Sequence, residues 1–153
     1  MAESSVNFRD LLGEESIRLD QRATDRFDAV RQCGEALVAA GAVDASYLES
    51  MAERERSVST YVGEGVAIPH GTSAGKESIQ RDALVFLQFP DGIEWDGNRV
   101  EVCVGIAAAG GSHIALLSRL AEVLLDPERA RQLRGATSAN TVYEILESTP
   151  AED

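Results

Sequence analysis

The sequence predicts a single α/β domain in which a mixed, partly parallel β-sheet is flanked by helices on both faces. Its 153 residues match the size of one domain. Two long apolar runs, at residues 83–89 and 100–109, lack the alternation of a half-buried strand, which is typical of strands covered on both faces. Helical patterns precede and follow these runs, so helical layers are available to cover the sheet.

The N-terminal part of the chain predicts a short strand and two helices. The strand is expected at residues 16–19. Apolar residues recur at helical spacing over residues 25–40, and Thr24 or Asp25 can cap the start of this helix. A second helix is expected over residues 44–57, with Asp44 as its cap, apolar side chains facing inward and charged ones facing outward.

Four strands are predicted in the middle of the chain, where short apolar runs are bounded by turn residues: 66–68, 83–89, 93–95 and 100–109. The letters PDG at residues 90–92 predict a turn between the second and third of these strands. Asp96 and Gly97 predict the hairpin turn that leads into the fourth.

Three helices are predicted after the last strand. The first is expected at residues 113–125, with Ser112 as its cap. A short helix follows with Pro127 at its first position, and the last helix is expected at residues 138–148. We expect residues 1–10 to form a flexible tail and residues 11–148 to form the folded domain.

The charge of the chain limits its partners. The formal net charge is −12, which argues against nucleic acid or an anionic membrane and favours docking of a basic protein. No apolar run approaches the roughly 20 residues of a membrane span. We therefore expect a cytoplasmic protein with no direct membrane insertion.

Metal and nucleotide sites are not predicted. Cys33 and Cys103 form no CxxC pair and are expected to be a reduced, buried pair, and two histidines add no metal spacing. GTSAGKE at residues 71–77 is one residue short of a P-loop and has Glu77 in place of the required Ser or Thr. GEGVAI at residues 63–68 lacks the third glycine of a dinucleotide fingerprint, and GGSHI at residues 110–114 lacks the last glycine of a nucleophile elbow.

The two histidines of the chain are the candidates for chemistry. His70 directly follows a short strand, with Pro69 stiffening the backbone before it and Gly71 leaving room beside it. His113 follows Gly-Gly-Ser at a helix N-terminus, where backbone N–H groups favour an anion. Together they suggest a nucleophile towards phosphoryl groups, which an arginine fork would stabilise, but spacing does not choose between Arg54 and Arg56. The alternatives without a chemical role are that His70 is an ordinary turn histidine and that His113 is a helix residue that faces solvent.

Two longer segments carry a resemblance to a known family. RERSVSTYVGEGVAIPHGT and VGIAAAGGSHIALLSRLAEVL resemble the two histidine segments of the IIA component of the bacterial phosphoenolpyruvate-dependent sugar phosphotransferase system, of the mannitol–fructose type. The similarity covers residues 11–147 and is closest to mannitol-specific IIA proteins. It implies a mixed sheet flanked by helices and a phosphotransferase that requires no cofactor.

The resemblance also implies roles for three residues. His70 matches the histidine that accepts a phosphoryl group from the phosphocarrier protein HPr and passes it to a cysteine of the IIB component. His113 matches the second histidine, which hydrogen-bonds the phosphohistidine or its phosphate. Arg54, rather than Arg56, matches the arginine that stabilises the phosphoryl group.

Three alternatives stay open from the sequence. A nitrogen-related IIA protein has a similar fold but signals by binding other proteins. A IIA protein for fructose or another polyol is the second, because AAAGGSH is glycine-rich where mannitol IIA proteins often carry larger polar residues. The third is a non-catalytic domain that holds a free phosphorylated metabolite and takes no phosphate on His70.

Overall fold

The computed structural model describes residues 8–108 and 112–147, except the side chains of residues 73, 74, 76 and 112–117. In this part of the chain five strands form one sheet: β1 (Ile17–Arg18), β2 (Tyr61–Gly63), β3 (Val66–Ala67), β4 (Ala83–Trp95) and β5 (Asn98–Ala107). The helices of the same part are α1 (Phe8–Leu11), α2 (Arg26–Ala39), α3 (Tyr47–Ser57), α4 (Ser112–Leu124), α5 (Pro127–Arg134) and α6 (Ala139–Glu147). Two 3₁₀ helices, Glu14–Ser16 and Ser73–Ser78, complete the regular structure described.

The sheet is mixed, as predicted. Its strand order is β1-β4-β5-β3-β2. The pairs β4–β5 and β2–β3 are antiparallel hairpins, whereas β1 runs parallel to β4 and β3 runs parallel to β5. The parallel β3–β5 pair is the feature that positions the candidate site.

Helices cover both faces of the sheet, which confirms the predicted fold class. Leu84 and Phe86 of β4 belong to a core cluster that includes buried residues of α1, α4, α5 and α6. Val85 and Leu87, on the opposite face, pack with buried residues of α2 and α3. Successive side chains of one strand therefore enter two different cores, and this explains why the run is apolar without alternation.

The turn predicted at residues 90–92 is wrong. β4 continues through these residues to Trp95, with a register shift against β5 between Gln88 and Ile93. Pro90 has no N–H to donate, and Gly92 has φ +79. A bulge accommodates both within one strand, whereas a regular ladder would not. The hairpin turn at Asp96 and Gly97 is confirmed, because both residues have positive φ angles of 53° and 89°.

Several helix and strand ends differ from the prediction. Asp25 caps α2 by accepting the Asp28 N–H at 2.8 Å, but α3 begins at Tyr47, and Asp44 contributes only a backbone carbonyl to the preceding turn. The tail predicted at residues 1–10 overlaps α1, where Phe8 is 1% exposed and packs in the core. Residues 1–7 lie outside the described residues.

One strand was missed by the sequence reading. β2 (Tyr61–Gly63) pairs with β3 through a turn at Glu64 and Gly65, whose φ angles are +56° and +76°. Glutamate is an uncommon residue in such a turn, and this is why the hairpin escaped prediction. The last residue of α5 stabilises this turn, since Arg134 Nη1 donates to the Glu64 carbonyl at 2.6 Å.

Candidate active site

Sheet topology brings the two histidine segments to the same edge. β3 pairs in parallel with β5, with Val66 opposite Val102, and the pairing is extended by a parallel bridge between His70 and Ile106. Parallel neighbours end at the same edge of a sheet, where ligands bind in α/β folds. The chain that leaves β5 here reaches α4, whose first turn contains His113. The His113 side chain and residues 109–111 lie outside the described residues.

The His70 ring has a defined tautomer. Its Nδ1 lies 2.8 Å from the carbonyl oxygen of Ile68. A carbonyl only accepts hydrogen bonds, so Nδ1 carries the hydrogen and the lone pair of the neutral ring is on Nε2. The imidazole is therefore oriented by the segment that follows β3, and its Nε2 carries the lone pair.

The backbone before and after His70 is fastened to neighbouring elements. The Ile106 N–H donates to the Pro69 carbonyl at 2.9 Å. The Gly71 N–H donates to the Tyr47 hydroxyl at 2.9 Å, and the Thr72 N–H donates to Ser50 Oγ at 2.9 Å. β5 therefore holds one side of the histidine and α3 holds the other.

Gly71 has a different purpose from the one predicted. A Cβ atom at Gly71 would lie 2.6 Å from Cε1 of Tyr47 and 2.7 Å from Oγ of Ser50. The space beside this glycine is filled by α3. The missing side chain thus allows a helix to approach the loop, and it does not leave the histidine uncrowded on this side.

The two candidate arginines lie at different positions around the axis of α3. Arg54 lies four residues after Ser50 and seven after Tyr47, so it shares the helical face that holds the His70 loop. Its Nη1 donates to the Val58 carbonyl at 2.6 Å near the end of α3. Arg56 is two residues further, which is a rotation of about 200° around the helix axis. Arg54 and Arg56 therefore lie on different sides of α3, and Arg54 is on the side of Tyr47 and Ser50.

A buried carboxylate lies next to this face and was missed by the sequence reading. Glu55, which was expected to face solvent, is 2% exposed. It accepts hydrogen bonds from Thr60 Oγ1 at 2.6 Å and from Trp95 Nε1 at 2.9 Å. The spacing of Tyr47, Met51 and Glu55 on one helical face was the available signal. Glu55 ties the end of α3 to the segment that leads into β2 and His70.

The two cysteines lie in the core and not in the site. Cys33 of α2 and Cys103 of β5 are both fully buried and free. Burial, and then the adjacent Cys33 thiol, raise the pKa of the Cys103 thiol well above its ordinary value. A thiol of this kind is a poor nucleophile. The prediction of a buried pair without a disulfide is confirmed by the burial and the free state of both cysteines.

An apolar groove adjoins the β2–β3 hairpin and Ile68, which lies two residues before His70. It has a volume of about 230 Å³ and is lined by Val62, Ile68, Leu120, Ala121, Leu124 and Leu125. Leu125 is 48% exposed. A groove of this character suits the anchoring of an apolar side chain from a partner protein.

The described residues also bear on membrane spans and metal sites. Within them, no helix is long and apolar enough to cross a bilayer. Within the same residues, no group of three or more histidine, cysteine or acidic side chains is arranged to hold a metal ion.

Comparison with known proteins gives consistent matches over nearly the whole chain. A family model described as "Phosphoenolpyruvate-dependent sugar phosphotransferase system, EIIA 2" matches residues 10–149. The mannitol-specific phosphotransferase enzyme IIA component of Staphylococcus aureus (strain Mu50) is 37% identical over 142 residues, which are 93% of this chain and 99% of that protein.

Two solved structures of IIA proteins also match this chain. In a complex of enzyme IIAMTL and phosphorylated enzyme IIBMTL from Escherichia coli, one chain matches with a TM-score of 0.82 and 34% identity, over 89% of this chain and 98% of its own length. The crystal structure of IIA mannitol from Escherichia coli matches with a TM-score of 0.80 and 35% identity, over 88% of this chain and 97% of its own.

Proposed function

Since the chain belongs to the EIIA 2 family of the phosphoenolpyruvate-dependent sugar phosphotransferase system, we propose that it relays a phosphoryl group from phospho-HPr, through His70, to the IIB component during uptake of mannitol. Family membership confirms the resemblance that the two histidine segments predicted. The chain is a phosphotransferase component, and its place of action in this proposal is the cytoplasm.

The observation that carries the proposal is the hydrogen bond from His70 Nδ1 to the Ile68 carbonyl at 2.8 Å. In the first transfer, Nε2 attacks phosphorus, and the bond from phosphorus to HPr breaks with its electron pair leaving on HPr. In the second, the thiolate of a IIB cysteine attacks phosphorus, and the electron pair of the P–N bond returns to Nε2. Nδ1 keeps its hydrogen throughout, so neither step waits for a proton to move between the ring nitrogens.

Arg54 and His113 complete the proposed site. The charge on the equatorial phosphoryl oxygens needs positive or N–H donors, and a guanidinium is suited to that task. Arg54 is assigned this role because of its helical face. His113 is assigned the second hydrogen-bonding role because its helix begins at the edge of the sheet where His70 lies.

The partners in the proposal are proteins. The net charge of −12 suits a basic contact face on HPr and disfavours nucleic acid. The IIB component and mannitol are proposed because one matched relative is a mannitol-specific IIA component and another is a IIA protein in complex with phosphorylated IIB. The apolar groove beside Ile68 provides an anchoring place at this interface.

Intact-mass analysis tests the chemistry. The protein is mixed with phosphoenolpyruvate, Enzyme I and HPr, and we expect one phosphate adduct that is stable to base and labile to acid. His70→Ala, shown to be folded by circular dichroism, should acquire no adduct. An adduct on that variant would overturn the assignment of His70, and a wild-type protein without an adduct would support the non-catalytic binding domain.

Transfer to IIB tests the substrate. The phosphorylated protein is mixed with the cytoplasmic IIB domains of mannitol and fructose permeases, and the phosphate remaining on His70 is followed with time. We expect rapid loss only with the mannitol IIB domain. Preference for the fructose domain would change the sugar, and retention of phosphate with every IIB domain would favour the regulatory, nitrogen-related alternative.

A further inference from the structure

The hydroxyl of Tyr47 connects three elements at the histidine loop. Tyr47 is 3% exposed and lies at the start of α3. Its hydroxyl accepts the Gly71 N–H at 2.9 Å and donates to the Ile106 carbonyl at 3.0 Å. Both bonds are buried or partly buried, where a hydrogen bond is costly to lose.

These bonds connect the backbone on both sides of His70 to Ile106. Ile106 is the residue that pairs with His70 across the sheet, and its N–H donates to the Pro69 carbonyl. The peptide group before His70 is thus bonded to Ile106 directly, and the one after it is bonded to Ile106 through the Tyr47 hydroxyl. Removing that hydroxyl breaks the link between Ile106 and the peptide group after His70, and it takes away the acceptor of the Gly71 N–H.

We propose that Tyr47 is a positioning residue for phosphoryl transfer, which orients the His70 ring by holding the backbone on its C-terminal side. The inference rests on the proposed function, because it assigns His70 the role of nucleophile. The Nδ1 bond reaches back to Ile68, so the ring direction depends on the backbone angles at His70 itself. Tyr47 fixes those angles from the far side, and it does not touch the phosphoryl group.

Two further observations support this role. Burial raises the pKa of the Tyr47 hydroxyl above its ordinary value, so the group keeps its proton over the range in which an imidazole titrates. Ser50, one helical turn later, makes a parallel contact with the next residue of the loop, since its Oγ accepts the Thr72 N–H and lies 3.0 Å from Thr72 Oγ1. One face of α3 therefore holds two successive residues after His70.

The chain offers a matched control for the hydroxyl. Tyr143 is also buried, and its hydroxyl donates to the Leu12 carbonyl at 2.6 Å in the other core. Tyr47→Phe and Tyr143→Phe each remove one buried hydroxyl and keep the ring. A purely structural role predicts similar effects of the two changes on transfer, whereas positioning predicts an effect of Tyr47→Phe alone.

The test is single-turnover phosphorylation of the full chain by phospho-HPr over a range of phospho-HPr concentrations. We expect the maximal rate of Tyr47→Phe to fall by about 10- to 100-fold, with half-saturation within about twofold of wild type. Tyr143→Phe should stay within about twofold in both quantities. Ser50→Ala should also slow transfer, whereas Ser46→Ala, which removes a hydroxyl that contacts only Ser78 in the described hydrogen bonds, should not.

Nitrogen-15 NMR of the His70 ring provides a readout independent of phosphorylation. We expect wild type and Tyr143→Phe to show hydrogen on Nδ1, and Tyr47→Phe to show a mixture of tautomers. Equal transfer rates and equal ring spectra in Tyr47→Phe and Tyr143→Phe would overturn the positioning role while leaving His70 as the nucleophile. A wild-type protein that takes no phosphate on His70 would instead overturn the proposed function, and the positioning role with it.

Discussion

Nδ1 of His70 donates a hydrogen bond to the Ile68 carbonyl, two residues earlier in the chain, over 2.8 Å. We predict that the phosphorylated protein carries its phosphate on Nε2. Nitrogen-15 and phosphorus-31 NMR of the phosphoprotein would show phosphorus coupled to Nε2, with hydrogen retained on Nδ1. Coupling to Nδ1 would contradict the prediction, because that nitrogen could then not remain the donor to Ile68.

The proposed role of Arg54 in phosphoryl transfer can be tested with Arg56, in the same helical turn, as the control. We predict that Arg54→Ala slows phosphoryl transfer by about 10²- to 10³-fold, the loss expected when one preorganised donor to a developing negative charge is removed. Arg56→Ala should transfer within about threefold of wild type, because it lies on another side of α3. Rapid-quench measurement of His70 phosphorylation would compare them, and similar rates for both variants would remove Arg54 from the site.

Glu55 is expected to matter for stability. Glu55→Gln replaces one carboxylate oxygen by an NH₂ group, which cannot accept a hydrogen bond, so one of the two bonds from Thr60 Oγ1 and Trp95 Nε1 is lost. We predict a loss of about 2–4 kcal/mol in the free energy of unfolding, measured by urea denaturation with circular dichroism. The exposed neighbour Glu53 gives the control, and Glu53→Gln should change stability by less than about 0.5 kcal/mol. A mild effect of Glu55→Gln would mean that these bonds contribute little.

Gly71 tests the packing of α3 against the histidine loop. A Cβ at this position would lie 2.6 Å from the Tyr47 ring, so we predict that Gly71→Ala lowers the free energy of unfolding by about 1–3 kcal/mol and slows transfer. Gly135→Ala is the control, because the nearest atom to its Cβ would be the Arg131 carbonyl oxygen at 3.8 Å. Thermal unfolding of the two variants should differ accordingly. Equal melting temperatures would show that α3 can move aside without cost.

Much of the fold followed from local patterns. The apolar runs at residues 83–89 and 100–109 predicted strands covered on both faces, and the two core clusters have this arrangement. Helix spacing located α2, α4 and α6 to within a few residues. The predictions failed where the decisive contact is distant in sequence. The bulge at Pro90 and Gly92 depends on pairing with β5, and the buried state of Glu55 depends on Trp95, forty residues away.

The sequence by itself determined that two histidine segments, an arginine and an acidic α/β domain belong to a phosphotransferase family, because the residue types and their order carry that information. Only the tertiary structure decided which nitrogen of His70 holds the lone pair, that Glu55 is buried, and what fills the space beside Gly71. The physical reason is that hydrogen-bond partners and helical faces are set by contacts between elements. Tyr47, Gly71 and Ile106 meet through one hydroxyl, although up to 59 residues separate them along the chain.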